Sequence, residues 1–97
     1  MPPAYIIANV DVRDTKAYDE YRAQVPATVK KYGGEFIVRG GKWESLEGEP
    51  LMPRLVVLKF PSVEQAKAWY NSPEYDGPKK LRQSASKGNV VVVEGFE

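Results

Sequence analysis

The chain has 97 residues, with 14 lysines and arginines, 13 aspartates and glutamates, and neither cysteine nor histidine, so its formal net charge is +1. Without cysteine it can form no disulfide, zinc–thiolate or iron–sulfur site, and without histidine no Ser-His-Asp triad, histidine base or histidine-bound metal or haem. This length predicts one domain over residues 1–97. We expect no cofactor, and any chemistry would use Tyr, Trp, Arg, Lys, Asn, Ser and carboxylates.

The balanced charge argues against nucleic acid as a partner, because no basic stripe dominates the sequence. Met1-Pro2-Pro3 has no basic region, and no apolar run with a cleavage site follows it, so we expect no signal peptide. No segment approaches the roughly 18 apolar residues that cross a membrane. We therefore expect a cytoplasmic protein that binds neither nucleic acid nor membrane.

The first third of the chain predicts a strand followed by a helix. Residues Ala4–Val12 are rich in β-branched and aromatic side chains, which predicts a strand, and Asp14 is a favourable N-cap. Apolar residues then recur on one face of a helix, namely Tyr18, Tyr21, Val25, Val29 and Tyr32. Pro26 lacks the N–H that would bond to Arg22, so we expect the helix to kink or restart there. Gly33-Gly34 predicts its end.

The middle of the chain predicts two further strands around a loop. Glu35–Arg39 is the second strand, and Gly40-Gly41 predicts a bulge or bend before extended structure resumes over Lys42–Leu46. Residues 47–53 contain a glycine and two prolines, which predicts a loop. Arg54–Phe60 is the third strand.

The last third predicts a divided helical segment and a final strand. Ser62 and Gln65 have the spacing of a capping box that opens a helix. Its buried stripe is Val63, Ala66, Trp69 and Tyr70. Ser72-Pro73 predicts a restart, with serine as the N-cap and proline in the first helical position, and the restarted helix runs to about Ser86. Residues 89–96 are the fourth strand.

The element order is β-α-β followed by β-α-β, which predicts an α+β, ferredoxin-like fold. In that arrangement a four-stranded antiparallel sheet carries its helices on one face.

The strand patterns indicate that the other face of the sheet is also covered. A sheet with one wet face alternates apolar and polar residues, but residues 55–58, residues 90–93 and the start of the first strand are apolar throughout. A second copy, packed sheet face to sheet face about a two-fold axis, would cover that surface, so we expect a homodimer. The alternatives are an exposed apolar face or cover from residues 40–53.

The sequence also resembles a known family. The segments are YIIANVDV, DxxxYxxYRxxVP, KYGGEFxVRGG, LVVLxFPSxExAxxWYxSPEY, an arginine at 82, and VVVVEG. In this order and spacing they resemble domain-of-unknown-function family 1330 over about residues 4–95, although Gly77-Pro78 departs from the smoother helix expected there. The resemblance implies the dimeric α/β-barrel superfamily, which includes cofactor-free monooxygenases, haem-degrading enzymes, muconolactone isomerases and ligand-sensing domains.

Four residues are the first candidates for a ligand site between the helices and the sheet, or at the barrel end. Arg39, beside the glycine pair, could be aimed into a cleft to bind a carboxylate or enolate, or could form an ion pair across the dimer. Tyr18 and Tyr21 could donate hydrogen bonds or protons, or simply pack in the core. Asn9 could orient a ligand or lie at the rim of its strand.

The remaining candidates have competing structural explanations. Trp43 could stack on a planar ligand or pack against a partner subunit, and Trp69 and Tyr70 could line a pocket or form core. Ser72 fits an N-cap better than a nucleophile, since no activating base is evident. Arg22 and Arg82 are as readily explained by surface or interface pairs.

A metal site is not expected, because the glutamates of residues 44–49 lie in a loop and are more simply solvated. Two hypotheses about function follow, beside a third possibility that the barrel is purely structural and has no pocket of useful size. Either a homodimer converts a small neutral or anionic organic molecule by cofactor-free oxygenation, isomerisation or a related proton transfer, or it is a ligand-binding or stress-associated dimer without turnover.

Overall fold

A computed structural model describes residues 2–96. The elements in chain order are β1 (Ala4–Val12), α1 (Thr15–Lys31), β2 (Glu35–Arg39), β3 (Arg54–Phe60), α2 (Val63–Tyr70), α3 (Pro73–Ala85) and β4 (Ser86–Glu94). None of the helices in this part of the chain is long and apolar enough to cross a membrane.

The four strands form one antiparallel sheet in the order β2-β3-β1-β4, with the helices on one face. This is the ferredoxin-like α+β fold that the element order predicts. In the register, Ile6 lies opposite Leu58 on β3 and Val92 on β4, so all three side chains share one face. That face packs under the helices, because Ile6 and Leu58 are buried together with residues of all three helices.

The core is built around two large aromatic residues from successive helices. The rings of Trp69 and Tyr75 lie 4.1 Å apart between centroids, and Phe60 of β3 packs 5.5 Å from Trp69. The indole Nε1 of Trp69 donates to Oγ1 of Thr28 at 3.0 Å, and that hydroxyl donates to the Val25 carbonyl. Because Trp69 is only 2% exposed, this bond satisfies a polar group that water cannot reach.

The segment after β2 differs from the prediction. No strand forms over residues 42–46, and the bulge lies at Ile37, where the pairing of β2 with β3 shifts. Gly40 has a φ of 70°, a backbone conformation that glycine adopts without a steric penalty, and it ends β2. Residues 41–53 therefore form one long loop, tied to β1 through Asn9.

The helices differ from the prediction in three details. The helix α1 runs through Pro26 without a restart. Ser62 caps α2 by accepting from the Gln65 N–H, but the Gln65 side chain donates to the Tyr32 carbonyl at the end of α1 and so does not close the capping box. The interruption at Gly77-Pro78 does not break α3. The last strand, β4, begins three residues and ends two residues before the predicted range of 89–96.

The outer face of the sheet carries an apolar row across all four strands. Val57 lies opposite both Ile7 and Val38, and Ile7 lies opposite Val91, so their side chains share this face. At the β4 edge Val91 is 50% exposed and Val93 is 46% exposed. The long loop contacts this face at Asn9 and does not cover these two valines.

The bond between Thr28 and Trp69 generates the first prediction. Thr28→Val keeps the shape of the side chain but leaves the buried Trp69 N–H without an acceptor. We expect a loss of about 1–3 kcal/mol in the free energy of unfolding, measured by urea denaturation. The matched control, Thr15→Val, changes an exposed threonine of α1 and should cost less than about 0.5 kcal/mol. Equal effects of the two variants would contradict this account.

A polar tie joins the end of α1 to the start of α3. The Glu74 carboxylate accepts from Lys31 Nζ and, at 2.8 Å, from the Tyr32 hydroxyl. Hydrogen bonds from Lys31, and then from Tyr32, lower the pKa of Glu74 to about 2. Because the folded pKa lies below the unfolded one, this tie stabilises the fold above the ordinary carboxyl pKa and is lost as the pH falls toward 2.

The second prediction follows from the lowered pKa of Glu74. Glu74→Gln should lower the melting temperature at pH 6 and above. The difference from the wild type should shrink steadily between about pH 4.5 and pH 2. Thermal melts followed by circular dichroism at half-unit pH steps measure this, with Glu20→Gln on the exposed side of α1 as the control. A difference that stays constant with pH would refute it.

Candidate functional site

A cavity lies between the sheet and the residues of α1 and α3 that face it. Its cavity volume is about 30 Å3, enough for a water molecule, and the whole depression, including space open to solvent, measures about 490 Å3. The apolar lining is Ile6, Ala8, Val25, Phe36, Val56, Leu58, Trp69 and Val90. The polar lining consists of three tyrosines and four arginines, Tyr18, Tyr21, Tyr75, Arg22, Arg39, Arg54 and Arg82.

The tyrosines of α1 reach the cavity because they lie one helical turn apart on the face toward the sheet. Their ring centroids are 5.3 Å apart. The hydroxyl of Tyr18 accepts from Arg54 Nε at 3.1 Å, and the hydroxyl of Tyr21 lies 2.8 Å from that of Tyr75 on α3. The structure thus brings both predicted tyrosines to one site and adds a third.

Arg39 is the last residue of β2, opposite Val56, and its side chain lies on the helix face of the sheet. Its Nη2 donates to the Arg22 carbonyl at 2.9 Å, and its guanidinium lies 4.5 Å from the centroid of the Phe36 ring. The Arg22 carbonyl is available because Pro26, four residues later, has no N–H to donate. The carbonyl that Pro26 leaves without a helical partner therefore accepts from Arg39 and holds its side chain beside the cavity.

Arg54 and Arg82 also line the cavity. The sequence analysis did not consider Arg54, and it explained Arg82 as readily by a surface or interface pair. Arg54 begins β3 opposite Val10, in register with the buried face. Arg82 lies on the buried stripe of α3 with Tyr75, Pro78 and Ala85. It is only 7% exposed, so it is not a surface residue, and its Nε donates to the Tyr75 hydroxyl at 3.3 Å. A charged residue within an inward-facing register was the signal in each case.

Burial determines the protonation of two of these tyrosines. Burial is the largest cause that raises the pKa of Tyr21 above its ordinary value, and the neighbouring Tyr75 raises it further. Burial also raises the pKa of Tyr75. Both phenols therefore stay protonated across the neutral range, where they can donate hydrogen bonds but are poor bases.

The other predicted site residues have different surroundings. Trp69 lines the cavity and is also core. Tyr70 lies outside it, with Lys79 Nζ 4.4 Å from its ring centroid. The Ser72 hydroxyl accepts from the Tyr75 N–H as the N-cap of α3 and donates to the Trp69 carbonyl.

Two predicted residues belong to the long loop and its attachment. The Asn9 amide donates to the carbonyls of Met52 and Arg54 at 3.0 and 3.1 Å and accepts from the Met52 N–H. The Trp43 Nε1 donates to the Pro53 carbonyl within the loop. Neither residue lines the cavity between the helices and the sheet.

The site contains hydrogen-bond donors and cations but no carboxylate. No aspartate or glutamate is among the lining residues within the described chain. Residues 2–96 likewise contain no group of three or more carboxylates that could hold a metal ion. What the arrangement offers is positive charge and phenolic hydroxyls at the edge of an apolar space.

The antiparallel sheet with its helices on one face places the chain among small ferredoxin-like α+β proteins. The model of the Domain of unknown function (DUF1330) family matches residues 3–96, so the chain belongs to that family. The search of curated proteins finds no significant match.

Solved structures share the fold at low sequence identity. A protein of unknown function from Rhodopseudomonas palustris, RPA0582, has a TM-score of 0.79 at 19% identity, with 99% of this chain and 84% of that one covered. SnoaB, a cofactor-independent oxygenase from Streptomyces nogalater, has a TM-score of 0.67 at 9% identity, covering 100% and 96%. A putative antibiotic biosynthesis monooxygenase from Nitrosomonas europaea has a TM-score of 0.54 at 12% identity, covering 99% and 93%.

Proposed function

We propose that this protein binds a small organic molecule in the cavity between its helices and its sheet. The observation that carries the proposal is the convergence of three tyrosines and four arginines, among them Tyr18, Tyr21 and Arg39, around one apolar space. Ligand sites combine an apolar wall with a few polar groups that fix orientation, and this cavity has both. Arg22 and Arg39 are exposed lining residues, so we infer that they move to admit a ligand larger than the cavity volume of about 30 Å3.

Turnover is the second candidate function. In a cofactor-free oxygenation or isomerisation, Arg39 would stabilise negative charge on the substrate, and Tyr18 or Tyr21 would donate or relay a proton. The fold shared with SnoaB favours this version. The lack of a carboxylate among the described lining residues favours binding without turnover, because the cavity then offers no strong base.

These versions differ in what two variants would do. If the protein is a catalyst, Arg39→Ala and Tyr21→Phe slow product formation. If it is a binding or stress-associated protein, they change ligand affinity or stability alone. The cytoplasmic location expected from the sequence stays a prediction.

The third prediction tests binding with two tryptophans that the chain supplies. Trp69 lines the cavity, whereas Trp43 lies in the exposed loop. A panel of neutral and anionic aromatic fragments should shift the indole N–H signal of Trp69 in a 15N-labelled sample and leave that of Trp43 in place. Trp43→Phe assigns the two signals. A panel in which no fragment moves the Trp69 signal would sink the proposal.

We also propose that the protein is a homodimer, joined through the outer face of the sheet. The row of Val38, Val57, Ile7 and Val91 gives that face a continuous apolar strip. A strip of this kind on both copies can pair with itself about a two-fold axis. Burial of the half-exposed Val91 and Val93 against a partner would stabilise the pair.

The fourth prediction concerns this interface. Light scattering coupled to size exclusion should give the dimer mass for the wild type at micromolar concentration. Val91→Lys should give the monomer mass, because each copy would bring an unpaired charge to the apolar strip. Gln83→Lys, on the exposed side of α3, adds the same charge elsewhere and should remain dimeric. A monomeric wild type would rule out the interface.

A further inference from the structure

The hydroxyls of Tyr21 and Tyr75 carry more hydrogens than the described residues can accept. Arg82 Nε donates to the Tyr75 oxygen, and the two hydroxyls bond to each other at 2.8 Å. One hydroxyl hydrogen is used between them, whichever way that bond runs. The other has no acceptor among residues 2–96, although every buried side-chain oxygen and nitrogen there has a partner. The pair can therefore donate one more hydrogen bond.

Tyr18 and the arginines of the cavity add to this excess of hydrogen-bond donors over acceptors. The Tyr18 oxygen accepts from Arg54 Nε, so its own hydrogen is also free to donate. Arg39, Arg54 and Arg82 have no carboxylate within ion-pair distance among residues 2–96. A guanidinium cannot accept a hydrogen bond, so these groups supply donors and positive charge alone.

The lack of acceptors and carboxylates matters most for Arg82, the most buried of these arginines. Arg82 is only 7% exposed, and the hydrogen bond that its guanidinium makes within the structure goes to a neutral hydroxyl, that of Tyr75. Taking a charge largely out of water without a counter-charge carries a desolvation penalty. A ligand that brings negative charge into the cavity would relieve that penalty, whereas a neutral ligand would not.

We propose that the ligand is an organic anion, with an apolar body and one carboxylate, phenolate or enolate group held by these donors. This inference rests on the proposed function and specifies its ligand class. Tyr21 donates directly to the anionic oxygen, and Arg82 acts through Tyr75 as a positioning residue, since its bond to the Tyr75 oxygen directs the Tyr75 hydrogen toward Tyr21. Arg54 orients Tyr18 in the same way.

The walls of the cavity distinguish an organic anion from an inorganic one. Val25, Val56, Leu58 and Val90 surround the donors with hydrocarbon. An aromatic or aliphatic body would bury apolar surface there, whereas nitrate or chloride would place its remaining lone pairs against groups that cannot donate.

The experiment compares two probes of equal shape and different charge. Benzoate and benzamide are titrated at pH 8 against the full-length protein, with the Trp69 indole signal and calorimetry as readouts. We expect benzoate to bind at least about tenfold more tightly, because charge-assisted hydrogen bonds are stronger than neutral ones. Sodium nitrate, titrated separately, should bind more weakly than benzoate.

Variants locate the source of the preference. Arg54→Gln and Tyr75→Phe should each reduce benzoate affinity about tenfold or more and leave benzamide affinity within about twofold. Arg13→Gln, which removes an exposed arginine paired with Asp11, should match the wild type. Arg82→Gln is tested in the same way, together with a urea melt that checks its folding. If that variant does not fold, Tyr75→Phe still tests the role of Arg82, because it removes the hydroxyl to which Arg82 donates.

The outcomes separate this inference from the function on which it rests. Equal affinity for benzoate and benzamide, while the fragment panel still moves Trp69, overturns the anion and leaves the binding function standing. Nitrate that binds as tightly as benzoate overturns the organic body. A Trp69 signal that no fragment or probe moves overturns both proposals. Loss of benzamide and benzoate affinity together in Tyr75→Phe overturns the positioning role.

Discussion

A sheet has two faces, and the three helices of this chain can cover one of them. Because the helices cover a single face, the core and the cavity lie on that side, and the opposite face is left without helices. The core forms under the helices, where Ile6 and Leu58 meet Trp69, and the second apolar face of the same strands is left outside it. The cavity arises on the covered side, between the sheet and the inward-facing residues of α1 and α3. A lining rich in large aromatic and arginine side chains spans this space without filling it.

The site gains its character from burial of polar groups that carry no negative charge. Tyr21 and Tyr75 are held in a protonated form by their surroundings, and Arg82 remains cationic because a guanidinium does not lose its proton in proteins. Such a set can stabilise an anion but cannot easily create one. Chemistry in this cavity would thus depend on a ligand that arrives charged or is already acidic.

The sequence predicts the parts of this structure that local patterns determine. The bounds of β1 and β3 agree with the prediction, because runs of β-branched residues lie between clear turn residues. The caps at Asp14, Ser62 and Ser72 agree because each serves a donor three residues away. The prediction of extended structure over residues 42–46 was wrong, since these residues pair with no neighbouring strand.

The candidate site was predictable only in part, for a related reason. Helical spacing predicted that Tyr18 and Tyr21 face the sheet. It did not predict the hydrogen bond from Arg54 to Tyr18, which joins residues 36 positions apart. The bond between Tyr21 and Tyr75 joins residues 54 positions apart. Contacts of that range depend on how α1 and α3 pack, which no local pattern specifies. An arginine in an inward register signals burial, but only the packing shows which groups it meets.

The proline in α1 has a mechanical consequence. Most side chains that touch a helix meet other side chains, which can rotate away, whereas Arg39 is fastened to the backbone of α1 at Arg22. Movement of that helix would therefore displace the acceptor of Arg39 and change the position of its guanidinium at the rim. A ligand that displaced Tyr18 or Tyr21 would act on the same helix, within one turn of the attachment at Arg22. The cavity and its rim are thus coupled through a single missing N–H, at a position whose side chain does not itself line the site.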